Sequence, residues 1–462
     1  MNFILIISDT LRRDHLGCYG NDWISTPNLD ALARESIVFD QAHVGSFPTI
    51  PHRTDLFTGR YMFTYSDWAP LPRDNVVVAQ VLSEAGYLTY FVCDTPHLVR
   101  DGFHFDRGFT AWQWIRGQEN DRYMTDPEQV HIPCDPEKLR AVTRTITQYL
   151  RNVSQRRGEQ DYFAPMTMAE AGRWLERNAR REPFFLYADT FDPHEPWDPP
   201  QHYVDMYDPG YQGEEVIYPI YGPATYLSEA ELKHMRALYA GEVTMVDRWV
   251  GRLLNRAADL GLLDDTAIIF GTDHGFYLGE HGLTGKVVHL YEEVSHVPLL
   301  IRMPGGKGAR RCPALVQAPD IMPTMLELAG APDPGTMHGK SLVHMLEGKD
   351  DPVRETAISS WSIIHEPVAD ALPLDDKNPY KWAEIAWKRK PSTVTDGEWS
   401  LICGAQDVRP ELYHVPSDPA QAKNVIADQP DQARRLHAAY IAFLESLDTD
   451  DKFIAPRRSL SL

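Results

Sequence analysis

A short, unbroken apolar run, Phe3-Ile4-Leu5-Ile6-Ile7, opens the chain and leads through Ser8 to a carboxylate, Asp9. Such a run, too short for a helix and without alternation, predicts a strand over residues 3–8 buried on both faces of a parallel sheet. The pattern recurs at 88–92 before Cys93-Asp94, at 184–188 before Asp189, and at 267–270 before Thr272-Asp273-His274. Between these runs the apolar positions predict helices over 77–85, 168–178 and 229–260. Thr26-Pro27 reads as another helix start, with Thr as cap and Pro in the first turn, running through Leu29, Leu32 and Ala33. Residues 49–57, of mixed polarity and followed by Gly59, predict a helix with Thr49 at its N-terminus. There the free N–H groups and the helix dipole favour an anion. Strands alternating with helices indicate an α/β unit. Open sheets of that class bind ligands beyond the C-terminal ends of their strands, which is where the four polar endings fall.

Two stretches depart from this rhythm. Residues 113–165 are irregular, charged and aromatic, and are expected to form an insertion that walls a pocket. Trp112, Trp114, Arg116, Arg122 and Tyr123 lie in or beside it. After residues 348–352 short β-like pieces appear at 356–360, 392–395, 399–403 and 411–415, followed by a helix over 431–447. The expected division is a catalytic unit over 1–352 and a small α+β subdomain over 353–462.

The chain has 462 residues, 43% of them hydrophobic, which is enough for a large core. A net charge of −21 argues against nucleic acid or an anionic membrane surface as partner, while leaving room for a small anion in a local cationic pocket. The five cysteines are scattered, with no CxxC pair, a pattern that suits reduced thiols and a cytoplasmic location. The apolar opening of the chain is too short for a leader core or a membrane span. The sequence is compatible with a homo-oligomer.

The run Thr49-Ile50-Pro51-His52-Arg53, continuing to Thr58-Gly59-Arg60, resembles the signature of the sulfatase family, part of the alkaline phosphatase superfamily. There a Cys or Ser opens a Cys/Ser-x-Pro-x-Arg motif and is oxidised to the nucleophile formylglycine. The resemblance extends through Ala318-Pro319-Asp320 and Gly339-Lys340-Ser341 to Trp399-Ser400-Leu401-Ile402 and Glu411-Leu412-Tyr413. It implies an alkaline-phosphatase-like three-layer sandwich, with a large, mixed, mostly parallel sheet and a small C-terminal subdomain. By the same resemblance Asp9, Asp273 and His274 would hold one divalent cation (Mn, Zn, Ca or Mg), with Thr49 as a further ligand. Several oxygens and an imidazole around such an ion polarise a P–O or S–O bond and lower the pKa of a hydroxyl. Most sulfatases carry a second carboxylate where this chain has Thr10, which is a weaker candidate ligand. An Asp-His-Gly taken alone is equally a turn after a strand; the order of the motifs is what favours the metal.

Arg53, one helical turn after Thr49, would hold the nucleophile's oxygen and the substrate anion. Lys286 matches the family's anion-binding lysine, although a solvated loop lysine would look the same. His194, in Asp192-Pro193-His194-Glu195-Pro196, matches a histidine that protonates the leaving oxygen, with Asp192 as its suggested orienting group. A rigid proline-framed turn is the plainer reading of that segment. A second ion at Asp189, Asp192 and His194 is disfavoured, because Lys286 would fill its place. Where sulfatases have Lys-x-His, this chain has Asp94, Thr95 and His97, taken as substrate-binding candidates. Arg12, Arg13, His15 and His52 are expected to have supporting or surface roles.

Threonine changes the chemistry. A formylglycine hydrate has two hydroxyls on one carbon and expels sulfate by collapsing to the aldehyde. Thr49 has one hydroxyl, so its ester must be cleared by attack at sulfur or phosphorus, and alkyl sulfates resist the former. The sequence therefore points to a hydrolase acting on phosphodiesters or phosphonate monoesters through a phospho-threonine. Loss of the lysine beside Asp94 suits a monoanion. Sulfate ester hydrolysis is the alternative, and a non-catalytic binder of a sulfated or phosphorylated ligand is a third reading. Phosphoethanolamine transferases of the superfamily also use threonine, but they are membrane-anchored.

Overall fold

The apolar runs become the centre of an eight-stranded sheet in a computed structural model that describes residues 1–349, 351–364, 390–405 and 408–462. Its strands are β1 (Asn2–Ser8), β2 (Ile37–His43), β4 (Leu88–Cys93), β5 (Ala111–Trp114), β6 (Phe184–Thr190), β8 (Thr266–Gly271), β11 (Leu299–Arg302) and β12 (Arg310–Gln317). They lie in the order β12-β2-β11-β8-β1-β6-β4-β5. β11 runs against β8 and β2, and the remaining neighbours are parallel. β1 and β6 are buried along their whole length, which explains their lack of alternation.

The expected helices form with small shifts at their ends. α1 (Pro27–Arg34) begins where the Thr-Pro pair predicts, but Thr26 does not cap it. Its hydroxyl accepts from the Gly17 N–H at 2.9 Å. Asp247, on the long helix Glu229–Asp259, instead accepts the N–H groups of Asn28 and Leu29 at 3.2 and 2.7 Å. That long helix starts at a capping box formed by Ser228 and Glu231. α2 (Thr49–Thr58) is buried at every position and stops at Gly59, whose φ of 67° is a left-handed value that glycine adopts without strain. A β-carbon there would also lie 2.8 Å from Met337. The Thr-Gly-Arg ending of the motif thus has a backbone cause.

A second, five-stranded sheet has the order β16-β15-β14-β13-β3. It comprises β13 (Ala357–Trp361), β14 (Ser392–Thr395), β15 (Trp399–Cys403) and β16 (Glu411–His414), with the helix Pro430–Ser446 packed against it. Its edge strand β3 (Ser46–Phe47) comes from the segment just before Thr49 and pairs in parallel with Ser360 and Trp361. The small sheet therefore crosses the expected boundary at 352. Part of the expected 353–462 unit, residues 365–389, lies outside the described residues. The 113–165 stretch is mostly irregular and contains the short helix Thr147–Val153. Arg156 fastens it by a double hydrogen bond to Asp198 at 2.9 Å. No helix among the described residues is long and apolar enough to cross a membrane.

Candidate active site

β8, β1, β6 and β4 are neighbours in that order, so the carboxylates at their ends form a row: Asp273, Asp9, Asp189, Asp94. All four are fully buried. Arg53 rises from α2 into the row. Its Nε and Nη2 hold Asp189 at 3.1 and 3.0 Å, and its Nη1 meets Asp273 and Asp9, the latter at 3.0 Å. Arg53 is thus chiefly the counter-charge of three carboxylates, rather than the open clamp on substrate that its spacing suggests. Thr95 and Tyr187 hydroxyls complete Asp189 at 2.6 and 2.5 Å.

Asp9, Asp273 and His274 each offer a ligand atom, and these atoms lie within 4.8 Å of one another. The residues fit a cation on two counts. Asp9 Oδ2 is buried and accepts no hydrogen bond, although Arg53 Nη1 is close by. His274 Nδ1 lies 3.0 Å from the Gly275 carbonyl, which can only accept, so the proton sits on Nδ1 and Nε2 keeps its lone pair. That Nε2 is 3.3 Å from Asp273 Oδ2, 3.4 Å from Thr49 Oγ1 and 3.5 Å from Lys286 Nζ. Burial and the charge of Asp273 drive the Asp9 carboxyl well above its usual range, while Arg53 helps hold Asp273 below it against burial. Burial lowers His274 to about 3, keeping it neutral as a ligand must be. The donor set is one imidazole and several hard oxygens, which suits any of the four divalent ions named above.

Thr10 supports this group from the side. It adopts a left-handed φ of 63°, strained for a β-branched residue. Its N–H donates to Asp273 Oδ1 at 2.9 Å and its hydroxyl to Asp9 Oδ1 at 2.6 Å. It therefore aims two ligands instead of serving plainly as one.

His194 is buried and stacks on Phe191 at 3.9 Å. Its Nδ1 lies 2.6 Å from the Glu195 carbonyl. Burial first, and Lys286 next, hold its pKa well below the ordinary imidazole value. In the free site it is consequently neutral, with an acceptor lone pair at Nε2. Asp192 does not orient it. That carboxylate accepts from the Gln118 side chain at 2.7 Å and the Ala164 N–H at 2.9 Å, tying both ends of the insertion to the loop. With Asp189 saturated and Asp192 occupied, these residues and His194 are not gathered as a second ion site.

Asp94 and Thr95 also turn inward. Asp94 accepts from Phe191 N–H (2.5 Å), Thr167 (2.7 Å) and Thr190 (2.9 Å), so it pins the start of the His194 loop instead of meeting substrate. Burial pushes its pKa well above the usual carboxylate value. Asp94→Ala strands three donors, and a stability loss of about 2–4 kcal/mol is expected in denaturant unfolding. His97 lies nearer the surface, its Nε2 3.1 Å from Glu119 and its ring edge-on to the exposed Trp68. Arg12 is buried and engaged with Asp14 and Glu280, a supporting role.

Several participants escaped the sequence reading. Asp55 accepts from the Ser46 N–H and hydroxyl and from the Met62 N–H, binding the two ends of the motif together. Glu119, at a left-handed φ of 46°, and Arg140 bring the insertion beside His194. Glu195 stood in the His194 motif unassigned.

Comparison with known proteins follows the same lines. Residues 1–331 match the family described as Sulfatase. An arylsulfatase of Clostridium perfringens is 27% identical over 405 residues, covering 77% of this chain and 80% of the relative. A multifunctional alkaline phosphatase superfamily protein, PehA of Trinickia caryophylli, is 26% identical over 417 residues, covering 75% and 77%. The crystal structure of a phosphonate monoester hydrolase of Agrobacterium radiobacter superposes with a TM-score of 0.74 at 23% identity, covering 96% of this chain and 95% of the other.

Proposed function

The chain belongs to the sulfatase family and is an ester hydrolase of that family, and we propose that within it Thr49 is the nucleophile and phosphodiesters or phosphonate monoesters are the substrates. The observation that carries the reading is the buried Thr49 hydroxyl at the N-terminus of α2, 3.4 Å from His274 Nε2, in place of a residue convertible to formylglycine. A monoanion also suits the absence of a lysine beside Asp94.

Asp9, Asp273, His274 and Thr49 are the residues that would hold the cation. When bound it would act as a Lewis acid toward the hydroxyl and a phosphoryl oxygen. Thr49 Oγ1, as an alkoxide whose proton has gone to solvent, forms the bond to phosphorus while the bond to the leaving oxygen breaks, and hydrolysis returns it as the alkoxide. Lys286 neutralises charge on the phosphoryl group. His194, its proton affinity raised by the bound anion, gives a proton to the leaving oxygen. It then takes one from the water that attacks phosphorus and frees Thr49.

A second reading, sulfate ester hydrolysis, draws support from the arylsulfatase relationship, which weighs towards it. Thr49 weighs against it, since its sulfate ester would require attack at sulfur. Parallel assays on aryl sulfate, aryl phosphate, phosphodiester and phosphonate esters separate the two, with burst kinetics and phospho-Thr49 detected by mass spectrometry expected for the first. Thr49→Cys would complete the Cys-x-Pro-x-Arg motif. Made together with a formylglycine-generating enzyme, this variant is expected to gain aryl sulfate turnover and to lose phosphodiester turnover relative to the wild type. Wild-type preference for aryl sulfate over every phosphorus ester would reverse the assignment. We also infer a cytoplasmic location, which the five free cysteines support.

A further inference from the structure

We propose that Glu195 is the positioning residue of His194, anchored for that task by Arg140 from the insertion. The inference rests on His194 carrying the leaving-group proton, as set out above. The imidazole is fixed on a face by Phe191 and at Nδ1 by the Glu195 carbonyl. That carbonyl fixes the tautomer, and it leaves unanswered what stabilises the ring once Nε2 is protonated. The carboxylate of the same residue supplies the answer. Its Oε2 lies 3.2 Å from His194 Nδ1, is wholly buried, and accepts no hydrogen bond. Its Oε1 is gripped by Arg140 Nη2 at 2.7 Å and by the Tyr221 hydroxyl at 2.5 Å.

A buried carboxylate oxygen left without a donor is costly. A positive edge it can meet is that of His194 as an imidazolium, whose Nδ1 is 3.2 Å away. One oxygen is therefore anchored and the other set against the ring, the arrangement by which a carboxylate orients an imidazole and stabilises its charged form. Arg140 is itself held by the rings of Tyr218 and Tyr221, 4.2 and 3.9 Å from its guanidinium carbon. Tyr218 in turn donates to Glu119 at 2.6 Å. Lys286 and Arg140 oppose protonation of His194, Glu119 and the Glu195 carbonyl favour it, and the Glu195 carboxylate stands 3.2 Å from Nδ1. Asp192, on the same loop, is occupied by Gln118 and Ala164.

The test is the ionisation of His194, followed by long-range ¹H–¹⁵N spectra of the labelled, metal-loaded enzyme, beside kinetics. In Glu195→Gln the apparent pKa of His194 is expected to fall by about one unit or more. kcat should fall roughly 10²-fold while KM changes little, the pattern of impaired proton transfer. Arg140→Lys keeps the positive charge, loosens the grip on Oε1, and should shift His194 in the same direction by less; it decides the matter if Glu195→Gln does not fold. An unmoved His194 titration in either folded variant overturns the proposal, whether or not kcat falls, because a merely structural role would leave that titration in place. Full activity in His194→Ala would instead overturn the proton-transfer role, and the titration would still report on Glu195.

Discussion

Thr49→Ala is expected to lower turnover by at least about 10⁴-fold, the scale on which removing a covalent nucleophile acts. The side chain is buried at the first turn of α2. Thr49→Ser keeps the hydroxyl and should retain turnover within about an order of magnitude, since it loses the methyl's packing and rotamer restriction. Asp9, Asp273 and His274 remain in both variants, so both should still bind the cation, Thr49→Ala more weakly for want of one ligand, and a thermal shift on metal addition distinguishes lost chemistry from lost fold. Undiminished phosphodiester turnover by Thr49→Ala would remove threonine from the mechanism.

The second large effect concerns the cation. Dialysis against a chelator is expected to abolish turnover, and re-addition of Mn, Zn, Ca or Mg to restore it to different extents. The physical pressure lies in the carboxylate row: Asp9 and Asp273 stand buried beside one another, and the first is driven toward its neutral form by burial and by the second. A cation bound at about 100 times its Kd adds about 2.7 kcal/mol to stability. The melting temperature should therefore rise with metal in the wild type and not in Asp9→Ala or Asp273→Ala. Equal melting curves for the wild type with and without metal, together with chelator-resistant activity, would place the chemistry elsewhere. The variants should not be read through activity alone, because Arg53 also loses one of its three partners in each.

Much of this site was legible in the chain. Short apolar runs ending in Asp gave four strands, and the parallel order of β8, β1, β6 and β4 turned their ends into one row. The helix bearing Thr49 and Arg53 was visible from its Gly59 ending, since a left-handed stop has a local cause. What stayed hidden was direction. Spacing alone does not say that Arg53 would spend its donors on Asp9, Asp189 and Asp273, or that Asp94 would turn from the pocket to hold Phe191 and two threonines. These outcomes depend on partners 44 to 220 residues away in sequence. Asp192 and Glu195 are a sharper case. Both flank His194 in the motif, and only packing against Ala164 and Arg140 decides which carboxylate faces the ring. The insertion was readable as a break in the strand–helix rhythm, but not as the source of Arg140, because an arginine in irregular sequence has no periodicity to betray it.

The two-residue strand β3 ends one residue before Pro48 and pairs with β13, from the C-terminal part of the chain. Its Phe47 touches both Trp361 and His274, with ring centroids 4.5 and 4.9 Å away. The tail of the protein thus acts as a splint for the segment that leads into Thr49. It follows that the first 352 residues are not a transplantable catalytic cassette. A graft, a fusion or a recombination event that exchanged the last hundred residues would have to preserve the surface that β13 presents to β3. Diversification of this lineage should therefore be constrained at that seam, even though the seam contributes no ligand and no charge to the reaction.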